Sequence, residues 1–346
     1  MKHVLVLTLC LFSTGCQLGY YLHLAGGQRA LMAAREPVED VLADPDVPSA
    51  VRHKLQLSQQ LRVFAQQALQ LPVDDTYLDY VALDRDWVTW NLFVAPPLSL
   101  TPRQWCYPIV GCASYHGYFD RERAQRDADK LEHKGFDVYG AGAIAYSTLG
   151  WFDDPVTSPM LAGPDDWFAE LLFHELAHRR FYLKGDTRFN ESLATTVGRA
   201  GMRQWLASRE QDRAEFEARL RRRDLAREKV LALVGEARNA LGELYASSLT
   251  DAEKLSRRDG IREALRQAYR QAREQNIDLA SYRDWFNGPL NNAQLATLSD
   301  YEGLVPGFDA ILARCGGDWS CFWKEVEQIA QLPAEQRNRL LEISDA

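Results

Sequence analysis

The sequence predicts an α+β fold, in which a small mixed sheet lies over one apolar helix and a large helical portion adjoins them. Three observations support this class. Segments with strand-type composition occur between residues 79 and 147. An apolar helical segment ending near Tyr182 carries the motif H-E-x-x-H. Residues 202–275 repeat apolar side chains at helical spacing among many charges.

The first fifteen residues predict a signal peptide. Lys2 precedes an apolar run at residues 4–12, which is too short to span a bilayer. Ser13-Thr14-Gly15-Cys16 resembles a lipobox, which predicts acylation of Cys16 and a lipid anchor. Gln17 follows instead of Asp, which favours the periplasmic side of the outer membrane. Plain secretory cleavage at the same place is the alternative.

Composition bounds the classes of function. The chain has 346 residues, 46% of them hydrophobic, so it can fill a sizeable core. A formal net charge of −8 offers no basic face for nucleic acid. Beyond the signal peptide we expect an N-terminal helical segment at 16–75, a catalytic core at 76–201 and a helical C-terminal portion at 202–346 packed on that core.

The elements follow in order along the chain. Residues 20–71 show helical spacing interrupted by prolines. Two strand-like runs flank Asp84-Arg85-Asp86 and predict a hairpin. Further strands are expected at 107–110, 113–119 and 138–147, with a charged helix at 121–134 closed by Gly135. A turn near 247–251 divides the long charged stretch into an antiparallel helical hairpin, whose charges predict a solvated face, with a lid or partner surface left open. Residues 278–346 predict shorter helices.

The motif His174-Glu175-Leu176-Ala177-His178 carries the chemistry. Positions i and i+4 share one face of a helix, so His174 and His178 can direct two imidazoles at one metal ion. Glu175 follows the first His, which suits a base beside a water on the metal. Glu191, in the run N-E-x-x-A, is the expected third ligand. Two His and one Glu predict a Zn²⁺ site of hydrolytic type.

Capping residues define the expected limits of the two site helices. Pro164 precedes Asp165 and Asp166, either of which could cap the motif helix. Asn190 is the expected N-cap of the helix that carries Glu191.

Several segments resemble a family of bacterial zinc aminopeptidases defined largely from sequence, which are predicted lipoproteins of the gluzincin type. The segments are Trp105-Cys106-Tyr107-Pro108, Gly117-Tyr118-Phe119, Tyr146 to Pro155, His174 to His178, and Phe189-Asn190-Glu191-Ser192. The resemblance covers most of the mature chain and is dense between Gln104 and Gly198. It implies a zincin-like metallopeptidase core, a peptide substrate and Glu175 as the general base.

A zincin-like core also implies a strand edge that binds the substrate backbone. Gly140 to Tyr146 is the expected segment, because its small side chains allow close approach. It holds no acid to capture a free amine, so Asp153 or Asp154 is expected to do so.

The oxyanion donor and the residue that supports the His ligands each have more than one candidate. Tyr146 is favoured as the catalytic donor over Tyr301, Tyr118 and His116. Many gluzincins have an Asp where this chain has Thr195, so Asp186 or Asn190 is the expected support for the His ligands.

Cysteine spacing fits an oxidising compartment. Cys106 with Cys112, and Cys315 with Cys321, enclose short loops, so local pairing is the simplest connectivity. Neither pair has the C-x2-C spacing of a zinc site.

The sequence as a whole predicts a zinc-dependent peptidase of the cell envelope. Exopeptidase and endopeptidase activity both stay open. The alternative from another class is a non-catalytic envelope lipoprotein with a structural or degenerate metal site, against which the intact Glu175 argues.

Overall fold

A computed structural model describes residues 2–107, 111–209, 213–275 and 278–342, with side chains from residue 18 onward at the N-terminus. The fold is mixed α+β, with 64% of residues in helices and several small sheets. The predicted signal segment and Cys16 lie outside the side chains described. In the part that the structure covers, no helix is both long and apolar enough to cross a membrane.

Three helices form the N-terminal portion, as expected from its apolar spacing. They are α1 (Lys2–Ala33), α2 (Val38–Ala43) and α3 (Ser49–Ala68). Pro37 and Pro48 occupy the N-cap positions of α2 and α3, where a missing N–H costs nothing. Leu55, Leu61 and Ala65 of α3 are fully buried, so α3 contributes to the main core.

Among the residues that the structure describes, the strands form three small sheets instead of one mixed sheet. They are β1 (Glu36–Pro37), β2 (Asp79–Val81), β3 (Thr89–Ala95), β4 (Trp105–Tyr107), β5 (Gly111–Ala113), β6 (Tyr115–Tyr118), β7 (Asp137–Ala143) and β8 (Val156–Thr157). The sheet orders are β1-β2-β8, β6-β3-β7 and β4-β5. The predicted hairpin around Asp84 to Asp86 is wrong, because β2 and β3 belong to different sheets. Part of the predicted strand 107–110 lies outside the described residues.

The two helices of the H-E-x-x-H region follow β8. A charged helix, α4 (Arg121–Glu132), precedes β7, and the motif helices are α5 (Asp165–Arg180) and α6 (Thr187–Ala207). The predicted caps are wrong at both. Asp165 caps nothing and pairs with Lys54 at 2.8 Å and with His53. Asp186 caps α6 by accepting from the backbone N–H of Phe189, so Asn190 lies inside the helix.

The described residues of the C-terminal portion fold into helices joined by short connections. Its helices are α7 (Arg213–Ala246), α8 (Asp251–Glu274), α9 (Arg283–Phe286), α10 (Asn292–Glu302), α11 (Val305–Arg314), α12 (Trp319–Ala330) and α13 (Ala334–Leu341). The predicted hairpin of α7 and α8 is confirmed, with Thr250 capping α8. The solvated-face prediction is wrong in part, because Arg262 and Arg258 of α8 pair with Asp137 of β7, at 2.6 and 3.4 Å.

One hydrophobic core unites the two ends of the chain. It contains side chains of α2, α3, α5, α6, α11, α12 and α13. A second core lies between α7, α8, α9 and α10. Both predicted disulfides are present: Cys106–Cys112 closes the β4-β5 hairpin, and Cys315–Cys321 joins the end of α11 to α12. The C-terminal helices therefore support the motif helices from behind.

Candidate metal centre

Close packing of α5 against α6 positions the site. A Cβ at Gly198 would lie 2.7 Å from the backbone oxygen of Glu170, and one at Gly201 would lie 2.6 Å from Leu69. Because these positions are glycine, α6 approaches the backbone of α5 directly. Phe173 and Leu172 of α5 are fully buried, and the ring of Phe173 lies against Gly201 of α6. The remaining face of α5, with His174 and His178, is thereby turned toward Glu191 of α6.

The structure brings the three predicted ligands together. The Nε2 atoms of His174 and His178 lie 3.3 and 3.6 Å from one carboxylate oxygen of Glu191. All three ligand atoms lie within 4.8 Å of one another. Zinc bonds of 2.0–2.1 Å in a tetrahedron separate neighbouring ligand atoms by about 3.4 Å. The donor set and its spacing therefore fit a metal ion of this size, and the three residues could hold one.

Charges within the cluster oppose the effect of burial on the pKa values of Glu191 and His178. Burial alone would raise the pKa of Glu191, but the charges and hydrogen bonds of His178 and His174 lower it well below its usual range. Burial would likewise lower the pKa of His178, yet Glu191 raises it above its ordinary value. Glu191 is thus an ionised acceptor for both imidazoles. In a cluster this buried, such a charge needs cationic partners.

Glu175 lies beside the cluster and lines the adjoining cleft. Glu175 is 8% exposed. Burial raises the pKa of its carboxyl group despite the opposing effect of His174 and His178. A carboxylate with a raised pKa is a better proton acceptor near neutral pH than an ordinary Glu.

The cleft has a volume of about 330 Å³. One wall is the end of β7, at residues 142–145, and the other is the face of α5 from Trp167 to Glu175. Strand β7 lies at the edge of the sheet β6-β3-β7, as predicted for the substrate-binding segment. The strand ends at Ala143, earlier than expected, so Tyr146 lies beyond it.

The structure separates the four candidate oxyanion donors. Tyr301 lines the cleft, and its ring lies parallel to that of His174 at 6.2 Å between centroids. Tyr146 lines a second, smaller cavity with Asp154, and its buried hydroxyl has no hydrogen-bond partner among the described residues. Tyr118 and His116 contact Tyr20 of α1, on the other face of the sheet. Of these four residues, the cleft contains Tyr301.

The predicted support for the His ligands is engaged elsewhere. Asn190 both accepts from and donates to the backbone of Leu183, so it fixes the turn between α5 and α6. Asp186 caps α6 and pairs with Arg337. Within the described residues, Nδ1 of His178 has no hydrogen-bond partner. Thr195 lines the cleft one turn after Glu191.

Sequence reasoning missed two of the carboxylates that line the cleft, Glu170 and Glu302. Asp154 is buried and accepts from the backbone N–H of Thr148, and Asp153 lies 4.0 Å from Arg179. The cleft instead contains Glu170 and Glu302. Glu170 precedes His174 by one helical turn, a spacing visible in the sequence. Glu302 had no such signal, because it comes from a distant helix.

Arg199 of α6 holds these two carboxylates in place. It donates to both oxygens of Glu302, at 2.8 and 2.5 Å, and its Nε lies 3.4 Å from Glu170. Burial alone would lower the pKa of Arg199, but the hydrogen bond and charge of Glu302 raise it above its usual value. Arg223 also pairs with Glu170, so two guanidinium groups match the two carboxylates at this end of the cleft.

The fold and the site together define a mixed α+β protein with a His-His-Glu cluster that could hold a metal. Residues 19–341 match the family described as "Putative aminopeptidase". The chain belongs to this family, since the match covers nearly its whole length. No curated protein and no solved structure matches the chain.

Proposed function

We propose that this protein is a zinc-dependent aminopeptidase of the bacterial cell envelope. The observation that carries the proposal is the cluster of His174, His178 and Glu191, whose member His174 lines a cleft together with Glu175. When bound there, zinc supplies Lewis acidity, which polarises a carbonyl oxygen and lowers the pKa of a water molecule.

Glu175 acts as the general base in this proposal. Its carboxylate takes a proton from the attacking water and passes it to the leaving amine. The raised pKa favours uptake of the proton, which the group then holds until the leaving amine accepts it. The backbone edge at residues 142–145 aligns the peptide along α5.

Tyr301 is the proposed oxyanion donor, in place of Tyr146. Burial and the charge of Glu191 raise the pKa of Tyr301 well above its usual value, so the hydroxyl keeps its proton and can donate it in a hydrogen bond. Its ring is fixed against His174, which places it beside the reacting group.

Glu170 and Glu302 are the residues of the cleft that suit an aminopeptidase substrate. A free α-ammonium group at this end of the cleft would lie near their carboxylates, which Arg199 bridges and of which Glu170 also pairs with Arg223. An internal peptide has no positive charge at this position. The preference for free amino termini therefore belongs to these two residues in our proposal.

The test compares aminoacyl fluorogenic substrates with the same substrates acetylated at the amine, with and without chelator. We expect hydrolysis of the free-amine series, loss of activity with chelator and recovery with Zn²⁺. Glu175→Gln should retain metal but lose about 10²–10⁴-fold in activity. Equal activity of Glu175→Gln with metal bound would refute the assignment of the base.

Two outcomes would select the alternatives. Faster cleavage of internally quenched peptides than of aminoacyl substrates would make the protein an endopeptidase. Stoichiometric metal without hydrolysis of either class would favour a non-catalytic lipoprotein with a structural site.

A further inference from the structure

The outward face of α1 is apolar. Leu18 is 60% exposed, Tyr21 36% and Leu22 65%, so three large hydrophobic side chains face solvent within five consecutive residues. Between Lys2 and Arg29 the sequence contains no Asp, Glu, Lys or Arg. Such a face on a soluble protein marks a contact with another apolar phase or partner.

The inward face of α1 is fixed to the sheet. Tyr20 donates to the backbone oxygen of Gly117 at 2.8 Å and stacks on His116 at 3.9 Å. The backbone N–H of Phe119 donates to His23. A Cβ at Gly27 would lie 2.2 Å from the ring of Phe119, so only glycine permits this contact. Helix α1 is therefore docked firmly from Tyr20 onward.

We propose that Leu18, Tyr21 and Leu22 form a membrane-contact face that lies in the interfacial layer of a phospholipid bilayer. The predicted acylated residue, Cys16, is two positions before Leu18, about 3 Å along the helix axis. The docking at Tyr20 leaves no flexible tether between anchor and domain. The bilayer must then lie against this end of α1, where apolar side chains and a tyrosine are favourable. The inference rests on the proposed lipid anchor and is independent of the peptidase activity.

The same geometry orients the cleft. Leu92 and Val94 of β3 pack with Tyr20 and α4, whereas the alternate residues Phe93 and Ala95 pack with Ala293 of α10. Tyr301 and Glu302 belong to α10, so the cleft and the membrane-contact face lie on opposite faces of the sheet. With the cleft on the side away from the membrane, the substrates are water-soluble peptides that enter from the aqueous side.

The test uses the mature chain with Cys16→Ser, so that binding is measured without the lipid. Vesicles of phosphatidylethanolamine and phosphatidylglycerol are the probe. Leu22→Cys carries an environment-sensitive dye, since Cys106, Cys112, Cys315 and Cys321 are paired in disulfides. The matched control is Val63→Cys on α3, which is 53% exposed.

We expect a blue shift at position 22 on adding vesicles and none at position 63. Leu18→Ser with Leu22→Ser should weaken vesicle partitioning at least about tenfold while leaving aminoacyl hydrolysis unchanged. No shift at position 22, or equal partitioning of the double variant, would overturn the proposal even if the acylated chain binds. Sedimentation could instead show a dimer of the wild type that is absent in the double variant. That result would assign the face to contact with a second copy and would overturn the proposal.

Discussion

At the scale of single residues, the hydroxyl of Tyr301 tests which tyrosine, Tyr301 or Tyr146, stabilises the oxyanion. Tyr301→Phe removes the donor and keeps the ring against His174. We expect kcat to fall by about 10²–10³-fold with metal content unchanged, because one preformed donor typically contributes this much. Steady-state kinetics with metal analysis measures the effect.

Tyr146→Phe is the matched control for that variant. Its hydroxyl faces the smaller cavity with Asp154 and makes no hydrogen bond within the described residues, so its loss should change activity less than about threefold. If Tyr146→Phe lost activity and Tyr301→Phe did not, the original assignment to Tyr146 would be restored.

Asp300 provides a prediction about pH. Its carboxylate accepts from Ser114 at 2.6 Å, and burial raises its pKa to about 6. In the unfolded chain the group titrates near 3.9. The native state thus binds the proton more tightly, and this group costs stability progressively as pH rises from about 4 to above 6. Asp300→Asn removes that cost.

The free energy of unfolding of Asp300→Asn should therefore exceed that of wild type at pH 7.5, by at most about 3 kcal/mol. The gap should close as the pH falls below about 4, where Asp300 becomes protonated in the unfolded chain as well as in the native state. Urea unfolding at pH 7.5 and at about pH 3 measures it. A gap that is constant or that grows toward low pH would contradict the burial argument.

At the scale of elements, Gly198 sets the distance between α5 and α6. Gly198→Ala would place a methyl group 2.7 Å from the backbone oxygen of Glu170, which cannot rotate away. The helices must separate, so we expect a loss of about 1–3 kcal/mol in stability and weaker zinc binding, because Glu191 moves from the His pair. Chemical unfolding and zinc titration measure both.

Gly235→Ala is the control for that variant. Gly235 also lies inside a helix, α7, but nothing lies within 4 Å of its added Cβ. Alanine there should be neutral or stabilise by about 0.5–1 kcal/mol. Zinc affinity that fell equally in both variants would show that the spacing of α5 and α6 does not govern the site.

Sequence periodicity was sufficient for the helices and for the local part of the site. Helical spacing predicted that His174 and His178 share one face, and the run N-E-x-x-A on the next helix indicated Glu191 as their partner. The strand pairing was not predictable in the same way, because β3 joins β6 and β7 from later in the chain. Nothing local to Tyr80 or Trp87 distinguishes a hairpin from strands of separate sheets. Glu302 was missed, and Tyr301 was ranked below Tyr146, because Tyr301 and Glu302 both lie on α10, far from the motif along the chain.

At the scale of the whole molecule, metal binding should stabilise the fold. A ligand that binds only the native state at 100 times its dissociation constant adds about 2.7 kcal/mol. Chelation should thus lower the melting temperature by several degrees, and Zn²⁺ should restore it. Glu191→Ala should show little response to either treatment. Calorimetry that found the same chelator response in Glu191→Ala would remove Glu191 from the site.

The metal ligands lie close together along the chain, whereas the residues that complete the cleft lie far from them. The metal ligands span residues 174–191, within one helical hairpin that closes with little loss of chain entropy. Tyr301 and Glu302 lie on α10, far later in the chain. The metal ligands thus come together through a local contact, whereas a long-range contact completes the cleft. We expect the hairpin of α5 and α6 to form earlier in folding than the cleft that would bind a peptide.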